Sequence, residues 1–125
     1  MITESDFSIA IADDHQLMRQ SLIQIFISFG YNVKIEAENG KVLIEKLEAG
    51  ELPDICVIDI NMPILDGFKT TTYIKQKWPF IKVLIFSLDD NTRNQQKAFA
   101  CGADAFISKY GSLELLQQTL EKLKK

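Results

Sequence analysis

The sequence has little of what holds small secreted or zinc-dependent folds together: two cysteines and one histidine in 125 residues. Cys56 and Cys101 have no paired spacing and no histidine near them in sequence, so the expectation is two reduced, buried thiols rather than a disulfide or a zinc site. Prolines number three, and no linker, low-complexity stretch or internal repeat interrupts the chain. Apolar runs are all short. None approaches membrane-spanning length, and residues 1–6 carry acids where a signal peptide would carry basic and apolar segments, which points to a cytoplasmic protein without membrane contact. Positive charge is also in deficit. Fourteen Lys and Arg against seventeen Asp and Glu leave a net charge of -3, and a chain without a basic face does not displace counterions from nucleic acid. Any DNA role belongs to another domain.

What is present is enough for one core. A chain of 125 residues is one domain, with 46% hydrophobic and 25% charged residues, ordinary for a globular protein. Five short apolar runs, at 7–12, 32–37, 55–58, 83–86 and 105–107, are rich in Ile, Val and Phe and too short for buried helices. Helical spacing fills the intervals. In the first, Met18, Leu22, Ile25, Phe26 and Phe29 share a face opposite Arg19, Gln20 and Gln24. Gly30, Gly50 and Gly102 stand where helices need a left-handed residue at their ends, while Asn39 and Ser112 can cap helices over 41–48 and 113–123. In the last helix Leu113, Leu116, Leu120 and Leu123 share a face, and Lys122, Lys124 and Lys125 suit its negative end.

Five repeats of strand then helix predict an α/β fold, a parallel sheet with helices on both faces. In such sheets ligands bind at the carboxyl ends of the strands. Four of the five runs end there on polar residues: Asp13 with Asp14, Asp59, Ser87 and Lys109. Three carboxylates meeting at one edge repel unless a cation lies among them, and oxygen ligands of this kind suit Mg2+. Lys109 adds a positive charge for a phosphate oxygen and Ser87 a hydroxyl donor. Asp59 can act as metal ligand and as nucleophile, since carboxylates form aspartyl-phosphates. Each residue alone is unremarkable in sequence: an Asp at a strand end is ordinarily a cap or a solvated turn residue, and a lone Lys near the C-terminus lies on the surface. Their shared position at one edge is what changes the reading.

The segments Ile11-Ala12-Asp13-Asp14-His15, Val57-Ile58-Asp59-Ile60-Asn61-Met62-Pro63 with Asp66-Gly67, Leu84-Ile85-Phe86-Ser87 and Gly102-Ala103-Asp104-Ala105-Phe106-Ile107-Ser108-Lys109 carry a resemblance over nearly the whole chain. It resembles a receiver domain of a two-component response regulator. The Asp-Asp-His triplet, Trp78-Pro79 and Ala100-Cys101-Gly102-Ala103-Asp104 are similar to the LuxR/NarL-type receivers that precede a helix-turn-helix. The resemblance implies a flavodoxin-like (βα)5 doubly wound sheet with strand order 2-1-3-4-5, spanning 1–125, the output domain lying outside the chain. It implies that Asp59 accepts a phosphoryl group from a sensor histidine kinase, and that Asp13, Asp14, Asp59 and the backbone carbonyl of Asn61 hold Mg2+. Ser87 and Lys109 would contact the phosphoryl group, and Phe106 would change rotamer on activation. The domain would promote only its own phosphoryl transfer and dephosphorylation, without being an enzyme otherwise.

Some residues depart from the family pattern. Tyr110 follows Lys109 where many receivers have a cis proline, so a trans peptide is expected. Leu88 is larger than the usual Ala or Gly and narrows access to Asp59. His15 is expected to open the first helix rather than bind metal. Residues 89–97 contain no apolar side chain, which marks the start of the fourth helix as a low-stability segment able to shift. Ile23, Ile27 and Leu115 lie off the core faces; scattered surface exposure is the default reading, and a homodimer face across the first and last helices is the sharper one. Three rival readings stand beside the switch: a standalone receiver acting through protein contacts, a phosphorylation-independent binding module, and a phosphatase of the haloacid-dehalogenase type. The last requires an acid where the chain has Asn61.

Overall fold

The computed structural model describes residues 7–124; the acidic stretch 1–6 and Lys125 lie outside it. The elements run β1 (Ser8–Ala12), α1 (Gln16–Ser28), β2 (Asn32–Ala37), α2 (Gly40–Glu48), β3 (Ile55–Ile58), α3 (Gly67–Lys77), β4 (Lys82–Ser87), α4 (Thr92–Ala100), β5 (Ala105–Ser108) and α5 (Leu113–Leu123). The five strands form one parallel sheet in the order β2-β1-β3-β4-β5, the flavodoxin-like arrangement expected. Gly30, Gly50 and Gly102 have φ of 92°, 100° and 106° just beyond α1, α2 and α4, so each ends its helix in the left-handed region as read from sequence. Asn39 and Ser112 accept hydrogen bonds from Val42 N and Leu115 N as caps, and His15 caps α1 through Nδ1, which accepts from Met18 N.

Alternation along each strand sends successive side chains to opposite layers. Ala10, Ala12, Cys56, Ile58, Val83 and Ile85 face a layer closed by Leu43 and Leu47 of α2, Phe68 and Ile74 of α3 and Ala98 of α4. Ile9, Ile11, Ile55, Val57, Leu84 and Phe86 face Leu22 and Phe26 of α1 with Leu116 and Leu120 of α5. β1, β3 and β4 are therefore buried on both faces and read as continuous apolar runs, whereas β2 at the edge of the sheet alternates polar and apolar residues.

Several expectations are corrected in detail. β1 starts at Ser8; Phe7 before it sets its ring edge-on to Tyr31, and its carbonyl accepts from Asn32 N. β4 gains Lys82 and Ser87, and β5 gains Ser108, since Ile55 pairs Lys82 and Ser87 pairs Ser108 across the ladders. Leu113 is exposed, one turn too early on α5 to reach the sheet, whereas Leu116 and Leu120 are buried. Ile23 packs partly against the α1/α5 layer, leaving Ile27 and Leu115 as the exposed pair. Cys101 is only partly buried, while Cys56 is buried completely. No cis peptide occurs among the described residues, so Tyr110 follows Lys109 in trans. No helix of the described residues is long and apolar enough to cross a membrane.

Candidate functional site

The register of the sheet sets the site. Ala12 pairs Ile58, so Asp13 and Asp59 leave neighbouring strands side by side; Ser87 pairs Ser108, so Lys109 emerges just beyond. The backbone is secured at each exit: Asp13 N donates to Ala37 O, Asp59 N to Ala12 O at 3.0 Å, and Lys109 N to Ser87 O at 2.9 Å. On this frame the Lys109 ammonium reaches back over the edge, 2.8 Å from Asp13 Oδ2 and 3.2 Å from Asp59 Oδ2. Its side chain is 5% exposed, so this lysine near the C-terminus is a buried cation held between two carboxylates rather than a surface residue. Asp13, Asp14 and Asp59 each offer an oxygen within 4.8 Å of the others, Asp13 buried, Asp59 half-buried and Asp14 exposed.

Electrostatics agree with the crowding. Burial pushes the Asp59 carboxyl above its ordinary range, Asp13 adds to this, and Lys109 opposes both. One ammonium does not neutralise three carboxylates, and the donors are all oxygen, which fits a hard divalent cation such as Mg2+. His15 Nδ1 is occupied by the α1 cap and the backbone N–H of His15 donates to Asp13 Oδ1 at 2.9 Å, so this residue shapes the loop. Asn61 lies on the exposed loop after β3, with its backbone carbonyl available as a further oxygen. At the opposite edge of the sheet the acids are used differently: Asp54 accepts from Ser8 N at 2.7 Å, and Asp104 from Val83 N at 2.8 Å and Lys75 at 3.0 Å. Those carboxylates tie down strand starts; the ones at the carboxyl edge converge.

A cleft of about 370 Å³ opens over them, lined by Asp14, His15, Met18, Asp59, Asn61, Ser87, Leu88 and Lys109. Ser87 is 1% exposed, and its Oγ accepts from Asp89 N at 3.1 Å, which leaves its one hydrogen to donate elsewhere. Leu88 is half exposed at the rim of the cleft. Phe106 is half-buried and packs on the α2–α4 layer. A larger groove of about 440 Å³ between α3 and α4 contains none of the converging groups; the Asp66 side chain at its edge caps α3.

The carboxylates Asp13, Asp14 and Asp59, Lys109 and Ser87 singled out in the sequence thus meet at one place, and Asn61 lines the cleft over them, while Phe106 lies mid-strand against the α2–α4 layer and does not line it. Sequence reasoning missed Arg19, placed there only as part of a polar helix face. Its guanidinium donates from Nη1 to Asp13 O and from Nε to Glu36 Oε2, both at 2.7 Å. Nothing in the spacing signals this, because Glu36 is distant in sequence and meets Arg19 only when β2 pairs with β1.

The family model of the response regulator receiver domain matches residues 9–121. The transcriptional regulatory protein DegU of Brevibacillus brevis is 31% identical over 109 residues, 86% of this chain and 46% of DegU. Hybrid signal transduction histidine kinase E of Dictyostelium discoideum is 32% identical over 117 residues, 90% of this chain and 7% of the kinase. The chain spans less than half the length of these relatives. The crystal structure of a DNA-binding response regulator of the LuxR family from Staphylococcus aureus has a TM-score of 0.87 at 27% identity, covering 99% of this chain and 100% of that one.

Proposed function

The chain belongs to the family of response regulator receiver domains, and on that premise we propose that it is a phosphorylation switch in two-component signalling, with Asp59 as the acceptor and a sensor histidine kinase as donor. The observation that carries the reading is the convergence of Asp13, Asp14 and Asp59 within 4.8 Å, with the Lys109 ammonium between Asp13 and Asp59. Asp13, Asp14, Asp59 and the Asn61 carbonyl are the groups that would hold Mg2+, which supplies charge compensation for the carboxylates and the incoming phosphoryl oxygens.

The chain's own residues supply the rest. A carboxylate oxygen of Asp59 forms the O–P bond as the N–P bond of the donor phosphohistidine breaks, and the electron pair of that bond stays on the imidazole nitrogen, which takes a proton from water. Ile60 N holds Asp59 Oδ1 at 2.8 Å and so fixes the rotamer of the nucleophile. Lys109 exchanges its contact with Asp59 for a phosphoryl oxygen, and Ser87 turns its hydroxyl hydrogen toward another. Movement of Ser87 draws on the β4–α4 connection. Among the described residues α4 buries only Ala98, so this helix is the element with least holding it, and Phe106 fills the space that Ser87 leaves.

Output through a DNA-binding domain of the LuxR type, outside this chain, is supported by the likeness to DegU and to the Staphylococcus aureus regulator. The test is intact-mass measurement after incubation with Mg2+ and acetyl phosphate. One added phosphoryl group on the parent and none on Asp59→Asn is expected; an unmodified parent that nonetheless binds Mg2+ would replace the switch with a phosphorylation-independent binding module.

A further inference from the structure

We propose that Arg19 is a positioning residue for the cation site, aiming Asp14 by holding the peptide group that joins it to Asp13. The inference rests on the reading of Asp13, Asp14 and Asp59 as the cation ligands. Of these, Asp59 is oriented by Ile60 N and Lys109, and Asp13 by His15 N and Lys109. The Asp14 carboxylate has no hydrogen-bond donor among the described residues, so its place beside the other two is set by the backbone alone. The carbonyl of the Asp13–Asp14 peptide is the atom that Arg19 Nη1 holds at 2.7 Å. On the other side of Asp13, the backbone N–H donates to Ala37 O at the end of β2.

Arg19 is itself anchored. Its Nε donates to Glu36 Oε2 at 2.7 Å, and its side chain is 12% exposed. Glu36 sits one residue before the end of β2 and pairs in register with Ile11 of β1. The guanidinium therefore links β2 to the loop after β1 through two different nitrogens, a contact that its rigid fork makes and a single ammonium does not. As an ion pair the contact adds little stability, because Glu36 is 38% exposed and exposed pairs are weak. Its effect lies in orientation. Groups that hold metal ligands in place commonly alter affinity roughly 10- to 100-fold when removed.

Charge and position make opposite predictions, and this separates them. Removing a cation from beside a divalent-metal site strengthens metal binding if Arg19 acts only through its charge, and weakens it if Arg19 aims Asp14. Mg2+ titrated calorimetrically into the metal-free protein reads this directly, with thermal unfolding of the same samples recorded without metal. We expect Arg19→Met to bind Mg2+ roughly ten-fold more weakly, and Arg19→Lys, which keeps the charge and loses the fork, to fall between it and the parent. Gln20→Met removes a 2.8 Å contact to the same Glu36 oxygen that does not reach the acidic loop, and should match the parent within two-fold, on the order expected for an exposed hydrogen bond. Affinity unchanged or tighter in Arg19→Met overturns the inference while leaving the site intact; if that variant does not fold, Arg19→Lys is read the same way. A parent that takes up no Mg2+ overturns the reading of the site and this inference together.

Discussion

Ile64 holds a backbone φ of 72° in the loop between β3 and α3 with its side chain 74% exposed. A β-branched residue in the left-handed region crowds its Cβ against the following carbonyl, at a cost of roughly 1–2 kcal/mol, and exposure means that no packing offsets it. Ile64→Gly should therefore raise stability by about 1 kcal/mol, the strain relieved less the extra freedom of the unfolded chain, measured by urea unfolding. The two cysteines separate at the same scale. Burial pushes the Cys56 thiol up to about 12, whereas Cys101 is only partly buried and borders the groove between α3 and α4. Since the thiolate is the reactive form, a thiol reagent at neutral pH should titrate one cysteine in the native protein and two in denaturant. Rapid modification of both before unfolding would show that β3 opens.

Among the elements, α3 begins hard against the backbone of the strand end that carries Asp59. A Cβ added at Gly67 would lie 2.2 Å from Asp59 O and 2.8 Å from Ile60 Cα, both backbone atoms that have no side-chain freedom to yield. Gly67 N also donates to Ile60 O at 2.8 Å, so the helix start and the strand end are one unit. Gly67→Ala should cost about 3 kcal/mol, the upper end for forcing an extra methyl into a packed contact, and should lower the rate of Asp59 modification by acetyl phosphate as well. A stable Gly67→Ala variant with normal modification would mean that α3 slides freely over β3. Helix periods, caps and the three terminal glycines were legible in the sequence because each depends on neighbours within one turn. Leu113 and Ile23 were misplaced because the spacing that puts apolar residues on one face does not say where along the helix the sheet ends, or how far the contact spreads sideways.

At the scale of the whole molecule, the acidic edge is a place where function and stability oppose one another. Asp59 has its folded pKa raised, by burial and by Asp13. For a raised carboxyl the sign is that stability is full below the unfolded value, about 4 for aspartate, and is lost as pH rises through the folded value. The metal-free protein should thus be less stable at neutral pH than Asp59→Asn, whose melting temperature should be higher by a few degrees. Below about pH 4, where the unfolded carboxyl is protonated too, the difference should vanish. Mg2+ at neutral pH should raise the melting point of the parent and leave Asp59→Asn nearly unchanged. A parent more stable than Asp59→Asn at neutral pH without metal would show that the Lys109 pair outweighs the burial of Asp59.

The sequence by itself determined the order of elements, the parallel sheet and the set of groups at its carboxyl edge, because strand length, helix period and the residue ending each strand are local properties of the chain. Only the tertiary structure decided the depth of Lys109 between Asp13 and Asp59, the strain at Ile64 and the grip of Arg19 on the Asp13 carbonyl. Each of these depends on residues far apart in sequence, or on a turn conformation imposed from outside, and such contacts exist only after strand register and helix seating have been settled together.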